Sequence, residues 1–303
     1  MTDMVEMEIA LDLPVSYMAR TRAWYAALGY SPYLWAREEA VPFAPPPRLK
    51  RARVALVTTA APFRPKLGEQ GPGAPYNAAA KFYEVWSMPS GVDPDLRIAH
   101  VAVDRAHWRV ADQGSYLPFD ALRMAEAEGR IGALGPRLHG LPTNRSQRMT
   151  RSVDCPDLVA RLVEDEANAV ILVPNCPVCH QSVALAARAL EAAGLPTVIM
   201  AAARDIPEHV GVPRMVWSDL PLGHAAGRPS DVACQRRVLA LALDLLEQAS
   251  APRTTVTSGL SWPGGSVWKR DYMNPSLLSA AELAKRRAEF AAQKATARTV
   301  REG

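Results

Sequence analysis

Cysteine is scarce in this sequence: four residues in 303 are too few for a disulfide framework. No apolar run is long enough to span a bilayer, and no charged-then-apolar leader precedes the first expected helix. A membrane partner is therefore not expected. The setting read from these absences is the reducing cytoplasm, where a close cysteine pair is more often catalytic or metal-binding than structural. Charge of one sign is lacking too. The 35 Lys and Arg residues against 31 Asp and Glu leave a formal net charge of +4, and no Lys/Arg run stands outside the C-terminal tail, which argues against nucleic acid. No Gly-x-Gly-x-x-Gly follows the first expected strand and no Walker lysine occurs, so a nucleotide cofactor is not indicated; the main reading calls for no cofactor and no metal. No internal period marks a repeat protein. What remains is an ordinary globular composition, 49% apolar and 22% charged, able to bury a full core as one large or two small domains.

The most informative stretch runs from Ala169 to Met200. Ala169–Val173 and Thr197–Met200 are short apolar runs bounded by proline, as buried parallel strands are. Between them Ala184, Leu185, Ala187 and Leu190 form a helical apolar stripe with Arg188 and Glu191 off it, stopped at Gly194 and Pro196. This is one βαβ unit. Its turn, NCPVCH, puts Pro177 at the first helical position, Cys176 at the N-cap and Cys179 one helical turn on, near enough to close a disulfide. A sulfur at the N-cap faces free backbone N–H groups and the positive end of the helix dipole, so its pKa should fall. It also stands at the carboxyl end of a parallel strand, where open α/β sheets bind ligands. The reading requires Cys176 to be ionised and open to a small molecule at the mouth of the sheet.

Around this unit, Val15–Tyr30 reads as an amphipathic helix with Met18, Trp24, Tyr25 and Leu28 on its apolar face, and Val41–Pro47, with four prolines, as an extended arm. Residues 1–50 are expected to form an N-terminal helical arm packing on a neighbour. Residues 51–250 are expected to form the α/β body, and 251–303 a C-terminal tail with a basic helix over Ala280–Ala295. Within the body, strands are expected at Arg53–Thr59, Leu96–Asp104, Ile131–Leu134 and Pro213–Ser218. Helices are expected at Pro118–Arg130, from Asp154 or Asp157, and at Asp231–Gln248. Gly135–Pro142 with His139 and Ala201–Ile206 read as loops, and Lys81–Pro94 has no clean period. Alternating strands and helices imply a three-layer, mostly parallel, Rossmann-like sheet.

The segments RVALVTT, DLRIAH, PFDALRMAEAEGRIGALGP, AVILVPNCPVCHQSVALAARALEAAGLPTV, ARDI and DLPLGHAAGRP together resemble the selenoprotein B family, subunits of the glycine, sarcosine, betaine and D-proline reductases. The likeness spans about Val15 to Gln248, and CPVCHQSVALAARALEAAGLPTV is its most specific part. The resemblance implies reductive cleavage of a C–N or C–heteroatom bond in a small substrate. Cys176 would attack, standing where well-known members carry selenocysteine, and Cys179 would resolve the adduct. It also implies a homo-oligomer or a subunit of a reductase complex and an external thioredoxin-like dithiol donor. Those reductases hold the amine with a pyruvoyl group on another subunit, and this sequence has no segment readable as its precursor, so either such a partner exists or the substrate is not a simple amino acid.

The residues themselves are compatible with that chemistry. A general acid is needed for the leaving group: His180 is nearest in sequence, with His100 and His224 as rivals. An anionic substrate would suit the helix N-terminus and Arg97 or Arg204, with Arg64, Thr58 and Thr59 after the first strand and Asn175 beside Cys176 as further binding candidates. The alternative is a non-catalytic subunit holding a metal or haem through Cys176, Cys179 and His180.

Overall fold

The computed structural model describes residues 12–70, 78–98, 100, 102–104, 107, 112–143 and 146–302. In chain order the elements are α1 (Tyr17–Ala27), β1 (Arg53–Thr58), β2 (Ala61–Pro62), β3 (Trp86–Pro89), β4 (Leu96–Arg97), α2 (Phe119–Ala127), β5 (Ala133–Gly140), α3 (Cys155–Glu164), β6 (Ala169–Val173), α4 (Pro177–Ala192), β7 (Thr197–Ala201), α5 (Asp205–Val210), β8 (Arg214–Trp217), α6 (Val232–Gln248), β9 (Thr254–Thr257) and α7 (Ala280–Glu302). Seven strands form one sheet in the order β3-β5-β1-β6-β7-β8-β9, parallel throughout except for β3, while β2 and β4 make a separate two-stranded pair. Every residue of β6, β7 and β8 is buried, as continuous apolar strands covered on both faces must be. Alternate residues of β1 enter opposite cores. Val54 and Leu56 pack with Phe119 and Leu122 of α2 and Val238 and Leu246 of α6, and Ala55 and Val57 pack with Leu158 and Leu162 of α3 and Val183 and Leu190 of α4. The result is the expected α/β three-layer arrangement. No described helix is long and apolar enough to cross a membrane.

Several expected elements differ. Leu96–Asp104 alternates like a strand; Ala99 and Val101 lie outside the described residues, and among the described ones Leu96 and Arg97 pair with the two residues of β2. His139, expected in a loop, lies in β5 between β1 and β3. Pro136 is admitted there because the register with β1 slips between Val54 and Leu56, so the ladder needs no N–H from it. The helix before β6 starts not at Asp154 or Asp157 but at Gln147, capped by the Ser146 side chain, and runs through a π-type turn, Thr150–Asp154, into α3. The loop after β7 contains the short helix α5, the unplaced segment contains β3, and β9 carries the sheet past residue 250.

Of the expected N-terminal arm, residues 1–11 lie outside the described residues, and residues 12–50 make contacts with the body of their own chain. In α1 the buried face is Tyr17, Thr21 and Tyr25, its Met18 N–H donates to Asp205 (2.8 Å), and Arg20 donates to the carbonyls of Lys269 and Tyr272. The extended arm is pinned at Ala44. Its N–H donates to Glu191 (2.5 Å) and its carbonyl accepts from Arg214 (2.8 Å), itself paired with Glu191 at 2.8 Å. Gly140 sits between Thr58 on β1 and Trp86 on β3, and a Cβ there would fall inside the Trp86 indole. Gly140→Ala is therefore expected to cost ~1–3 kcal/mol through overpacking. An unchanged urea midpoint would contradict that account.

Candidate active site

Going outward from β1, the chain leaves toward β5 on one side and continues from β6 toward β7 on the other. The crevice at the carboxyl ends of β1 and β6 is thus the topological switch point of the sheet. Asn175 ties the two exits together: its backbone N–H and its Nδ2 donate to Thr59 Oγ1 at 3.0 and 3.1 Å. Cys176 follows with extended backbone and caps α4, its sulfur accepting the Cys179 N–H at 3.2 Å, with Pro177 at the first helical position. Cys176 and Cys179 are joined by a disulfide, their Cα atoms 4.9 Å apart. Thr143, just past β5, donates its hydroxyl to Cys179 Sγ at 3.2 Å. A ring nitrogen of His100 and the two sulfurs all lie within 4.8 Å of one another. On reduction, a sulfur here meets an N–H donor and the helix dipole, both of which favour the thiolate.

The other expected site residues divide. His180 does not join the sulfurs. Its Nε2 accepts the Ala203 N–H (3.1 Å), so its proton sits on Nδ1 and is donated to the Cys176 carbonyl (2.7 Å). Burial pushes its pKa down to about 4, and the neutral ring fastens α4 to the exit of β7. His224 is buried, stacked on Trp262 at 5.0 Å, and pushed down to about 3 by burial, which leaves it neutral. Arg97 is taken up by Asp95 (2.5 Å) and lies over Phe63; Arg204 pairs with Glu208 (2.9 Å) over Trp217. Thr58 Oγ1 accepts from Ala60 N–H, so both threonines shape the turn. Arg64 is exposed and, with Lys81, Tyr83, Trp86 and Met149, lines a half-open groove of about 1040 Å³. Lys81 Nζ donates to the Thr143 carbonyl (2.8 Å), so one residue joins the groove to Cys179. Asn175 is fully buried, and its Oδ1 has no hydrogen-bond partner among the described residues. The remaining cysteines stand apart: Cys155 is buried with its thiol pushed up to about 12, and Cys234 accepts the Arg228 N–H.

The sulfurs are not open at the mouth of the sheet. Cys176 is 3% exposed and Cys179 0%. They lie in an apolar cluster with Tyr25, Tyr33 and Val178, against which Tyr30, Trp35 and Phe290 pack. Three distant segments bring this cover together. Tyr25 comes from α1. Tyr33 comes from the arm, where Gln181 of α4 donates to its hydroxyl (2.6 Å) and accepts the Ala36 N–H (2.6 Å). Phe290 comes from α7 and meets Tyr30 at 4.7 Å and Tyr25 at 6.2 Å. Thr143, Gln181 and Phe290 escape sequence reasoning because nothing local marks them; each acts across more than thirty residues.

The chain is 31% identical over 217 residues to the D-proline reductase subunit gamma of Acetoanaerobium sticklandii, an alignment covering 69% of this chain and 85% of that protein. It is 29% identical over 217 residues to the glycine reductase complex component B subunit gamma of Carboxydothermus hydrogenoformans, covering 70% of this chain and 47% of that one. To the sarcosine reductase complex component B subunit beta of Peptoclostridium acidaminophilum it is 28% identical over 148 residues, 49% of this chain and 34% of the other. It thus spans most of the D-proline reductase subunit but half or less of the glycine and sarcosine reductase subunits. No family model and no solved structure matches the chain.

Proposed function

We propose that this chain, which belongs to the selenoprotein B family of D-proline, glycine and sarcosine reductase subunits, reductively cleaves a carbon–heteroatom bond of a small substrate through the Cys176–Cys179 pair. The observation that carries this reading is the pair itself, closed as a disulfide at the N-terminus of α4, in the crevice of the sheet, with His100 beside both sulfurs. Because Cys176 and Cys179 are covered by Tyr25, Tyr30 and Phe290, substrate is admitted by local opening of that cover. The Cys176 thiolate then attacks the carbon and a C–S bond forms as the C–X bond breaks. His100 gives the leaving group its proton. The Cys179 thiolate then attacks the Cys176 sulfur; the C–S bond breaks, its electron pair takes up a proton, and the disulfide is made. In sum R–X and two thiols become R–H, H–X and one disulfide, and an external dithiol of thioredoxin type resets the pair.

His100 takes the acid's place ahead of His180 and His224 because burial keeps those two rings neutral, and their contacts, to the Cys176 carbonyl and Ala203 N–H for His180 and to Trp262 for His224, occupy them elsewhere. Asn175 Oδ1 is a buried acceptor lacking a donor among the described residues, a state that costs roughly 1–3 kcal/mol and suits a substrate N–H. The groove with Arg64 and Lys81 suits a carboxylate, so a small amino acid is the substrate class favoured here. A thiolate is a weaker nucleophile than a selenolate, which makes an activating partner subunit, as in the complexes of the relatives, part of this reading.

The test is a trapped intermediate. Cys179→Ser lacks the resolving thiol, and with a substrate the wild-type protein reduces it should gain the mass of the substrate fragment on Cys176. A substrate that turns over in wild type and leaves no adduct in Cys179→Ser would defeat the mechanism.

A further inference from the structure

We propose that the reduced pair and His100 form a redox-gated site for one zinc-like divalent cation. The inference rests on the reading above only in that the disulfide must be reducible. Three residues supply the ligand set: two thiolates and one imidazole, their donor atoms within 4.8 Å of one another. Tetrahedral zinc, with bonds of about 2.3 Å to sulfur and 2.0 Å to nitrogen, needs its ligand atoms roughly 3.5–4 Å apart, and the three donor atoms here already lie within 4.8 Å of one another. Two sulfurs with one nitrogen select a soft or borderline ion over magnesium or calcium. The third ligand is His100 and not the neighbouring His180, because both His180 nitrogens are committed to the backbone of Cys176 and Ala203.

The surroundings fit a buried thiolate–metal centre. The Cys179 N–H points at Cys176 Sγ and the Thr143 hydroxyl at Cys179 Sγ, donors that temper thiolate charge around a cation. Both sulfurs lie under aromatic side chains. Three protein ligands leave one tetrahedral position for a water or for a donor on a bound molecule.

Metal and disulfide exclude each other, since both consume the same two sulfurs. Binding to the reduced pair releases the thiol protons. A disulfide oxidant reverses it: the two zinc-bound thiolates are oxidised to the Cys176–Cys179 bond, the oxidant takes two protons and leaves as two thiols, and the cation departs. A bound ion therefore stops Cys176 from attacking substrate and keeps the pair from idle oxidation.

The experiment titrates the full-length protein, anaerobically reduced and then freed of reductant, with zinc against a chromophoric chelator, after a thiol count has established that the pair is open. A pair that cannot be reduced would defeat the reductase reading and this proposal together; an open pair that takes up no zinc would overturn this proposal alone. The expected result is one equivalent bound by reduced protein and none by the disulfide form. His100→Ala should weaken binding by at least the roughly 10–100-fold seen when even an outer partner is removed. Wild-type-strength binding by that variant would overturn the three-ligand site. X-ray absorption of the zinc-loaded wild-type protein decides independently of any variant. Two sulfurs and an imidazole around zinc support the assignment; a shell without imidazole, or with more than two sulfurs, refutes it.

Discussion

Phe290→Ala is expected to speed reduction of the Cys176–Cys179 disulfide by dithiothreitol roughly 5–150-fold, at a cost of no more than about 1–3 kcal/mol in unfolding free energy. An attacking sulfur must approach a disulfide sulfur directly, and Cys176 and Cys179 are 3% and 0% exposed, so the reaction waits on local opening of the cover. Of the segments over the sulfurs, α7 is the most weakly tied. Most of its described residues face solvent. Among the described residues its hold includes the Phe290 ring against Tyr25 and Tyr30, Arg287 donating to the Ala27 carbonyl, Arg286 and Lys294 over the rings of Trp24 and Tyr30, and packing against the short turn Ala78–Ala80. The arm, by contrast, is fastened through Gln181, Glu191 and Arg214. Two aromatic contacts at about 0.5–1.5 kcal/mol each set the expected range, since ~1.4 kcal/mol is tenfold in the open population. Stopped reactions analysed for free thiol would give the rate. A variant that reacts no faster than wild type would show that α7 does not control access.

Glu191→Ala is expected to cost about 3–5 kcal/mol of folding stability, measured by urea unfolding. Glu191 and Arg214 have wholly buried side chains and touch at 2.8 Å. Burial is the main influence on both, raising the carboxyl and lowering the guanidinium, so neither ion is comfortable without the other. The carboxylate also accepts from Ala44 N–H, Thr197 N–H and Thr197 Oγ1, and its loss strands these donors together with the Arg214 charge. The asymmetry makes a sharper test. Replacing both residues by methionine removes the unpaired ion and should recover much of the loss, because a buried ion pair often does no better than apolar residues of similar volume. A single variant within ~1 kcal/mol of wild type would mean that water reaches Arg214 after all.

The βαβ unit from Ala169 to Met200 was legible because everything that makes it is local. Its apolar runs, the Cys176 cap, Pro177 and the Gly194 stop lie within the unit, and the structure bears out each boundary to within a residue or two. Elements whose existence depends on a partner were not legible. β3 is a half-exposed edge strand with hydrogen bonds on one side only, so no buried face writes a period into Trp86–Pro89. Leu96–Asp104 has the alternation of a strand, yet among its described residues the pairing is at Leu96 and Arg97. The dithiol followed from helix-capping chemistry. His100, about eighty positions upstream, was readable only as a rival to His180, because proximity in sequence favoured His180; the fold brings His100 to the sulfurs and turns the His180 ring to Ala203. The cover was invisible for the same reason, since Tyr25 and Phe290 are ordinary apolar positions until α1 and α7 are brought side by side.

The imidazole of His180 has a consequence for electron transfer itself. By bracing the Cys176 carbonyl against the Ala203 amide, it immobilises the main chain that carries the sulfurs. In the proposed cycle, opening and closing the S–S bond would then be accommodated by rotation of two short side chains, with little reorganisation of the scaffold around them. Successive turnovers would start from the same frame, and an approaching donor would meet two forms that differ in their sulfur atoms rather than in their outline.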